Sequence, residues 1–147
     1  MPMIEIWDGS IRLADLVEHV SVTEDLQWTI LEVWAVGETD EVDVIALERE
    51  AEASPHGLNL SASELRGLAA GLHQVIDGIF VGYRGQQPNR NDADLRSSAE
   101  VVLEAIDSTL WRVYAREVAM IDRLEKRFVR VCDVTPEVPI APKHEMS

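Results

Sequence analysis

A histidine and an aspartate that could act together in proton transfer lie in the most apolar part of the chain. His73 and Asp77 are four residues apart, so on a helix they would share one side, where a carboxylate can orient an imidazole as a general base. Basic residues fall on the same side, which favours a solvated surface pair. We therefore assign no catalytic residue and expect no enzyme. A small hydrolase or transferase using this pair, with Ser108 or Cys132 recruited by the fold, is kept as an alternative.

The sequence contains no motif typical of a metal or cofactor site. Cys132 is the single cysteine, which excludes an internal disulfide, a Cys-rich zinc site and a CxxC redox pair. The four histidines show no metal-binding spacing, and no glycine-rich phosphate loop is present. The segment 89–94 resembles the start of a calcium loop but lacks the glycine that such a loop requires at its sixth position. We expect no cofactor and no metal.

Acidic residues are the feature that departs most from an average composition. Residues 1–64 hold fifteen Asp and Glu against two basic residues, whereas residues 65–147 hold twelve against eleven, so the two parts carry charges of −13 and −1. A dense acidic cluster could serve solubility alone, or it could bind a basic protein with salt-sensitive association. Its members, the predicted partner-binding residues, are Glu38, Asp40, Glu41, Asp43, Glu48, Glu50 and Glu52.

The charge and the apolar segments also exclude several classes of protein. A negative field repels phosphate backbones, so we expect no nucleic-acid binding. The N-terminal sequence carries Glu5 and Asp8 where a secretory signal needs a basic start and an apolar run. The most apolar stretch, 67–83, is too short and too interrupted to span a membrane. These features predict a cytoplasmic protein that does not bind membranes.

The elements that must position these residues include one long predicted helix. Ser61 and Glu64 have the capping-box spacing, and apolar residues at helical period follow to Tyr83, which predicts a central helix over about 62–83. Four glycines fall on one side of that helix and could form a close-packing or self-association stripe, which leaves a homodimer as a second alternative. They are Gly67, Gly71, Gly78 and Gly82.

The remaining pattern predicts an α+β domain. Alternation at 27–36 predicts a strand with Trp28 and Trp34 on the same, core-facing side. Residues 42–53 fit either a strand or a helix. The other predicted elements are a helix at 11–20 behind an N-cap at Ser10, a hairpin of strands 100–106 and 110–115, and a helix from Arg116 with a basic side. We expect a small, mostly antiparallel sheet of three to four strands with helices packed on one face.

The length predicts one domain over residues 1–135, followed by a flexible, proline-containing tail at 136–147. As a small, acidic, single domain, the chain resembles bacterial immunity proteins and antitoxins in general character, although no motif carries that resemblance. The resemblance implies a non-enzymatic protein that neutralises a basic partner. We therefore predict an interaction protein whose acidic residues bind a basic protein.

Overall fold

The computed structural model describes residues 2–8, 10–20, 26–37, 44–53, 57–84, 99–128 and 131–134. These ranges contain seven strands and four helices in chain order. The elements are β1 (Met3–Ile6), α1 (Leu13–Val20), β2 (Gln27–Gly37), α2 (Val44–Ala53), β3 (Leu58–Leu60), α3 (Ala62–Gly71), β4 (Leu72–Tyr83), β5 (Val101–Ile106), β6 (Leu110–Ala115), α4 (Val118–Arg127) and β7 (Val131–Val134).

All seven strands form one sheet in the order β3-β2-β4-β5-β6-β1-β7. Every neighbouring pair is antiparallel. The protein is therefore α+β, but the predicted sheet of three to four strands is wrong. Four strands were not predicted. β1, β3 and β7 are each too short to show a clear alternation of their own, and β4 lies in the segment that was predicted as helix.

The four helices pack against one face of this sheet, which we call the inner face. Apolar side chains from every helix join those of the inner face in one buried cluster. Trp28 of β2 and Phe80 of β4 are the largest fully buried side chains in it. Burial on this scale is the main stabilising contribution, at roughly 25 cal/mol per Å² of apolar surface.

The predicted central helix over about 62–83 is wrong, because the segment divides into a helix and a strand. The capping box that starts α3 is present: Ser61 accepts the Glu64 backbone N–H, and the Glu64 carboxylate accepts the Ser61 backbone N–H. The helix ends at Gly71, and β4 begins at the next residue. β-branched and aromatic residues dominate the segment from Val75 onward, and such residues favour a strand lying between two partners, here β2 and β5.

A β-bulge in β2 reverses which side chains face the core. Ile30 pairs with Phe80 and Glu32 pairs with Ile79, so Leu31 has no opposite residue in β4. One extra residue shifts the alternation of side chains by one position. Trp28 and Ile30 before the bulge are fully buried, whereas Trp34 after it is 56% exposed. The prediction that Trp28 and Trp34 share a core-facing side is therefore wrong.

The predicted hairpin is present as β5 and β6, and its turn contacts β4. Asp107 and Ser108 both have positive φ, at 49° and 60°, and Thr109 N–H donates to Ile106 O at 3.0 Å, which defines a type I′ turn. Ser108 N–H donates to Ile76 O at 2.9 Å. The Asp77 carboxylate accepts the Asp107 N–H at 3.0 Å. The turn is thus fixed to a bulged part of β4.

The outer face of the sheet carries a partly buried ion-pair group at its centre. Arg112 of β6 donates to the Glu5 carboxylate at 2.8 Å and lies 3.9 Å from that of Glu104. The three residues are cross-strand neighbours on β1, β6 and β5. Arg112 is the most buried of the three. The two carboxylates therefore offset the free-energy cost of burying its positive charge.

Two further predictions concern the start of the first helix and the C-terminal tail. Ser10 does not cap the first helix, which begins at Leu13; the Asp15 carboxylate accepts the Arg12 N–H there instead. Cys132 lies in β7 opposite Glu5, beyond the end of α4. The predicted tail at 136–147 lies outside the described residues. Within these ranges, no helix combines the length and the apolar character needed to cross a bilayer.

Candidate functional site

Helix α2 lies along a part of β2 that pairs with β4 on one edge and, among the described residues, has no neighbouring strand on the other. β3 pairs only with Trp28, Thr29 and Ile30, although β2 continues to Gly37. Beyond that pairing, the Glu48 carboxylate of α2 accepts the backbone N–H of Ala35 at 3.2 Å. A helix side chain thus satisfies an edge amide that would otherwise be left for pairing with another chain.

A cleft of about 290 Å³ remains between β2 and α2. Its apolar part comes from two strand residues and one helix residue, and its rim carries three carboxylates. The lining residues are Leu31, Glu32, Val33, Glu48, Ala51 and Glu52. This site, the β2–α2 cleft, therefore combines a small apolar floor with concentrated negative charge.

The C-terminal end of α2 carries negative charges, whereas positive charges would stabilise it. Cations favour the negative C-terminal end of the helix dipole, yet the last turn of α2 holds no basic residue and contains Glu50 and Glu52. Glu48 and Glu52 are four residues apart and both line the cleft, and like charges at that spacing cost about 0.2–0.5 kcal/mol. Arg49 is the only basic residue of α2. A cation in the cleft would relieve this repulsion.

Two exposed apolar side chains extend the surface beyond the cleft. Trp34 and Val36 follow Glu32 on the outer side of β2, and both are large hydrophobic residues exposed to solvent. Residues two apart on a strand are separated by about 7 Å. Exposed tryptophan is a frequent contributor to binding energy at protein interfaces. The carboxylates of Glu32, Glu48 and Glu52 and the exposed pair Trp34 and Val36 thus form one continuous surface, which we call the β2–α2 surface.

Three of the seven predicted partner-binding residues lie in α2, within the described residues. Glu48 and Glu52 line the cleft, and Glu50 is an exposed residue of the same helix. The other four, Glu38, Asp40, Glu41 and Asp43, lie outside the described residues, in the sequence that joins β2 to α2.

The basic residues of α4 do not lie beside this surface. α4 packs against α1 and β6, and β6 is three strands away from β2, or about 14 Å at the usual strand spacing. Arg116, before α4, donates to Ala99 O at 2.6 Å, and Arg127 lies over the Phe128 ring at 5.3 Å. Arg130 lies outside the described residues.

The predicted glycine stripe is not formed, because its helix is not formed. Gly67 and Gly71 belong to α3, whereas Gly78 and Gly82 belong to β4. A Cβ on Gly82 would lie 2.7 Å from Val101 Cγ1 and 3.1 Å from Trp28 Cη2. The β4 glycines make room for core side chains, so the four glycines do not share a surface for self-association.

The proposed proton-transfer pair is also separated. Along a strand, residues four apart lie on the order of 13 Å from each other, against about 6 Å along a helix. His73 is exposed at the start of β4, and the Asp77 carboxylate binds the turn at Asp107. The one-turn geometry assumed for this pair is therefore wrong. Within the described ranges, no group of three or more His, Cys, Asp or Glu side chains could hold a metal.

The sequence prediction missed three β2 residues of this surface, Glu32, Trp34 and Val36. It places them in a strand that is buried for most of its length, and no local signal marks the bulge that turns Trp34 outward. The isolated Glu32 within an apolar run was the available signal, since a charged side chain there requires water or a partner.

No protein-family model, curated protein or solved structure matches the chain. The proposed function therefore rests on the geometry and charge of the β2–α2 surface.

Proposed function

We propose that the protein is a non-enzymatic interaction domain that binds a basic protein through the β2–α2 surface. The β2–α2 cleft carries the proposal, because its three carboxylates surround an apolar floor. A basic side chain has the complementary composition, with apolar methylenes and a cationic end. The like-charged pair Glu48 and Glu52 supports the same conclusion, since a cation between them would lower their repulsion.

The acidic residues between β2 and α2 belong to this proposal. Asp40, Glu41 and Asp43 would add to the negative field that draws a basic partner toward the cleft, which raises the association rate more than the final affinity. The single cysteine further favours a reducing compartment such as the cytoplasm. Nucleic acids are not proposed as partners, because the field would repel them.

The test is affinity capture from the native lysate with the full chain as bait, at low and at high salt. We expect a basic protein to bind at low salt and to be released as salt rises, because charge interactions at exposed surfaces are screened within about 8 Å at physiological ionic strength. Replacing Glu32 and Glu52 by lysine should abolish its capture. The triple change of Asp40, Glu41 and Asp43 to lysine should slow association.

The matched control is Asp122→Lys, which makes the same kind of charge reversal at an exposed position of α4. It should leave capture unchanged. Capture that is indifferent to salt, or that falls equally with Asp122→Lys and Glu52→Lys, would contradict the proposal.

A further inference from the structure

The β2–α2 cleft has the size of a site for one long side chain. A volume of about 290 Å³ lies just below the usual range for small-molecule pockets, which begins at about 300 Å³. Leu31, Val33 and Ala51 provide apolar contacts inside it. A folded element could not enter this space, whereas a single unbranched side chain could.

The carboxylates stand on two walls of the cleft. Glu48 and Glu52 belong to α2, and Glu32 belongs to β2. Glu48 is also oriented, because one of its carboxylate oxygens accepts the Ala35 N–H. A cation entering the cleft would therefore meet acceptors from more than one direction.

We propose that the cleft receives an arginine side chain of the partner, with its guanidinium between the carboxylates and its methylenes on the apolar floor. The inference rests on the proposed function and names the group that this site recognises. Arginine fits better than lysine because its planar guanidinium offers five donors in a fixed arrangement and is less strongly hydrated than an ammonium group. Charge-assisted hydrogen bonds of this kind are about twice as strong as neutral ones.

Trp34 provides a second contact for the same partner segment. It is 56% exposed and follows Glu32 by two residues on the outer side of β2. Residues that flank the inserted arginine could pack on its indole ring. An apolar or basic residue next to the arginine is therefore the expected neighbour, since both pack favourably on tryptophan.

The experiment titrates the full chain with three capped tripeptides at low salt. They are acetyl-Gly-Xaa-Gly-amide with arginine, lysine or citrulline, the last being the uncharged analogue of arginine. Binding is followed by the NMR shifts of the Val33, Ala35 and Ala51 amides. We expect the arginine peptide to shift these amides saturably, the lysine peptide to bind about fivefold more weakly, and citrulline to have no effect.

The variant Glu52→Lys separates binding from stability. It should weaken the arginine peptide at least about tenfold, because it removes one carboxylate and adds a repelling charge. It should also raise the thermal midpoint by about 2–4 °C, since it removes a like-charge pair and places a cation at the negative end of α2. Asp122→Lys should leave peptide binding unchanged.

The inference would be overturned by equal binding of the arginine and citrulline peptides, by shifts located away from the cleft, by a Glu52→Lys variant that binds as the original chain does, or by no binding of the arginine peptide. If the arginine peptide fails while salt-sensitive capture of a basic protein persists, only this inference fails. If capture fails as well, the proposed function fails with it.

Discussion

Gly82 lies directly opposite Trp28 across the β2–β4 pair, and its missing side chain leaves the space that the indole occupies. A methyl group there would approach Val101 Cγ1 to 2.7 Å. We expect Gly82→Ala to lower the free energy of unfolding by about 1–3 kcal/mol, the usual cost of overpacking a core. Urea unfolding followed by circular dichroism measures this change.

Gly67→Ala is the matched control. A Cβ at Gly67 would meet nothing within 4 Å. This residue lies in the middle of α3 and is exposed to solvent. The change should stabilise the protein by about 0.5–1 kcal/mol, since alanine favours a helix more than glycine does. Equal effects of the two substitutions would contradict the placement of these glycines in different elements.

Removing the guanidinium of Arg112 should leave two partly buried carboxylates without their cation. Because Glu5 and Glu104 retain some contact with water, we expect Arg112→Met to cost about 2 kcal/mol, somewhat less than the loss of a fully buried partner. Chemical denaturation measures the cost.

Arg84→Met provides the comparison for that variant. Arg84 pairs with Glu100 and Glu117 while its side chain is 55% exposed. Exposed ion pairs contribute about 1 kcal/mol or less. A loss as large as that of Arg112→Met would show that burial does not set the difference.

The turn between β5 and β6 should become more stable when its second residue is glycine. Ser108 has a φ of 60°, which is unfavourable for a residue with a Cβ and favourable for glycine in a type I′ turn. Ser108→Gly should add about 0.5–1 kcal/mol to the unfolding free energy, and its N–H can still bind Ile76 O. Ser108→Val should destabilise the protein; a gain with valine would argue against the positive φ.

The start of α3 should depend on the side chain of Ser61. Its oxygen accepts the Glu64 N–H at 3.1 Å, so Ser61→Ala should cost about 1 kcal/mol, as the loss of an N-cap usually does. Ser63→Ala, in the same turn and exposed, should change stability by less than about 0.5 kcal/mol. Thermal unfolding of the two variants distinguishes the cap from a general loss of serine.

Local signals in the sequence were sufficient for elements that local contacts determine. The capping box of α3 and the hairpin turn at Asp107 both depend on residues within a few positions, and both are present. β4 was predicted as helix because its apolar residues fit a period of 3.6 as well as an alternation. Its pairing with β2 decides between them, and that pairing is not visible in β4 alone.

The parts that could not be predicted depend on residues far apart in the chain. Glu5 and Arg112 are 107 positions apart, yet they form an ion pair between neighbouring strands. The same holds for the candidate site: the acidity of α2 was evident from composition, but its position beside β2 was not. The cleft exists because α2 follows the edge that β3 leaves unpaired, and this is a property of the sheet topology.

The extra residue at Leu31 sets the phase of everything that follows it in β2. If β2 paired regularly with β4 through Leu31, without the bulge, Val33 and Ala35 would face the solvent and Trp34 would face the protein interior. The chemical character of this edge thus depends on the pairing register of β2 more than on the identity of any side chain in it. A shift of one residue in this pairing would erase the surface while leaving its amino acids unchanged.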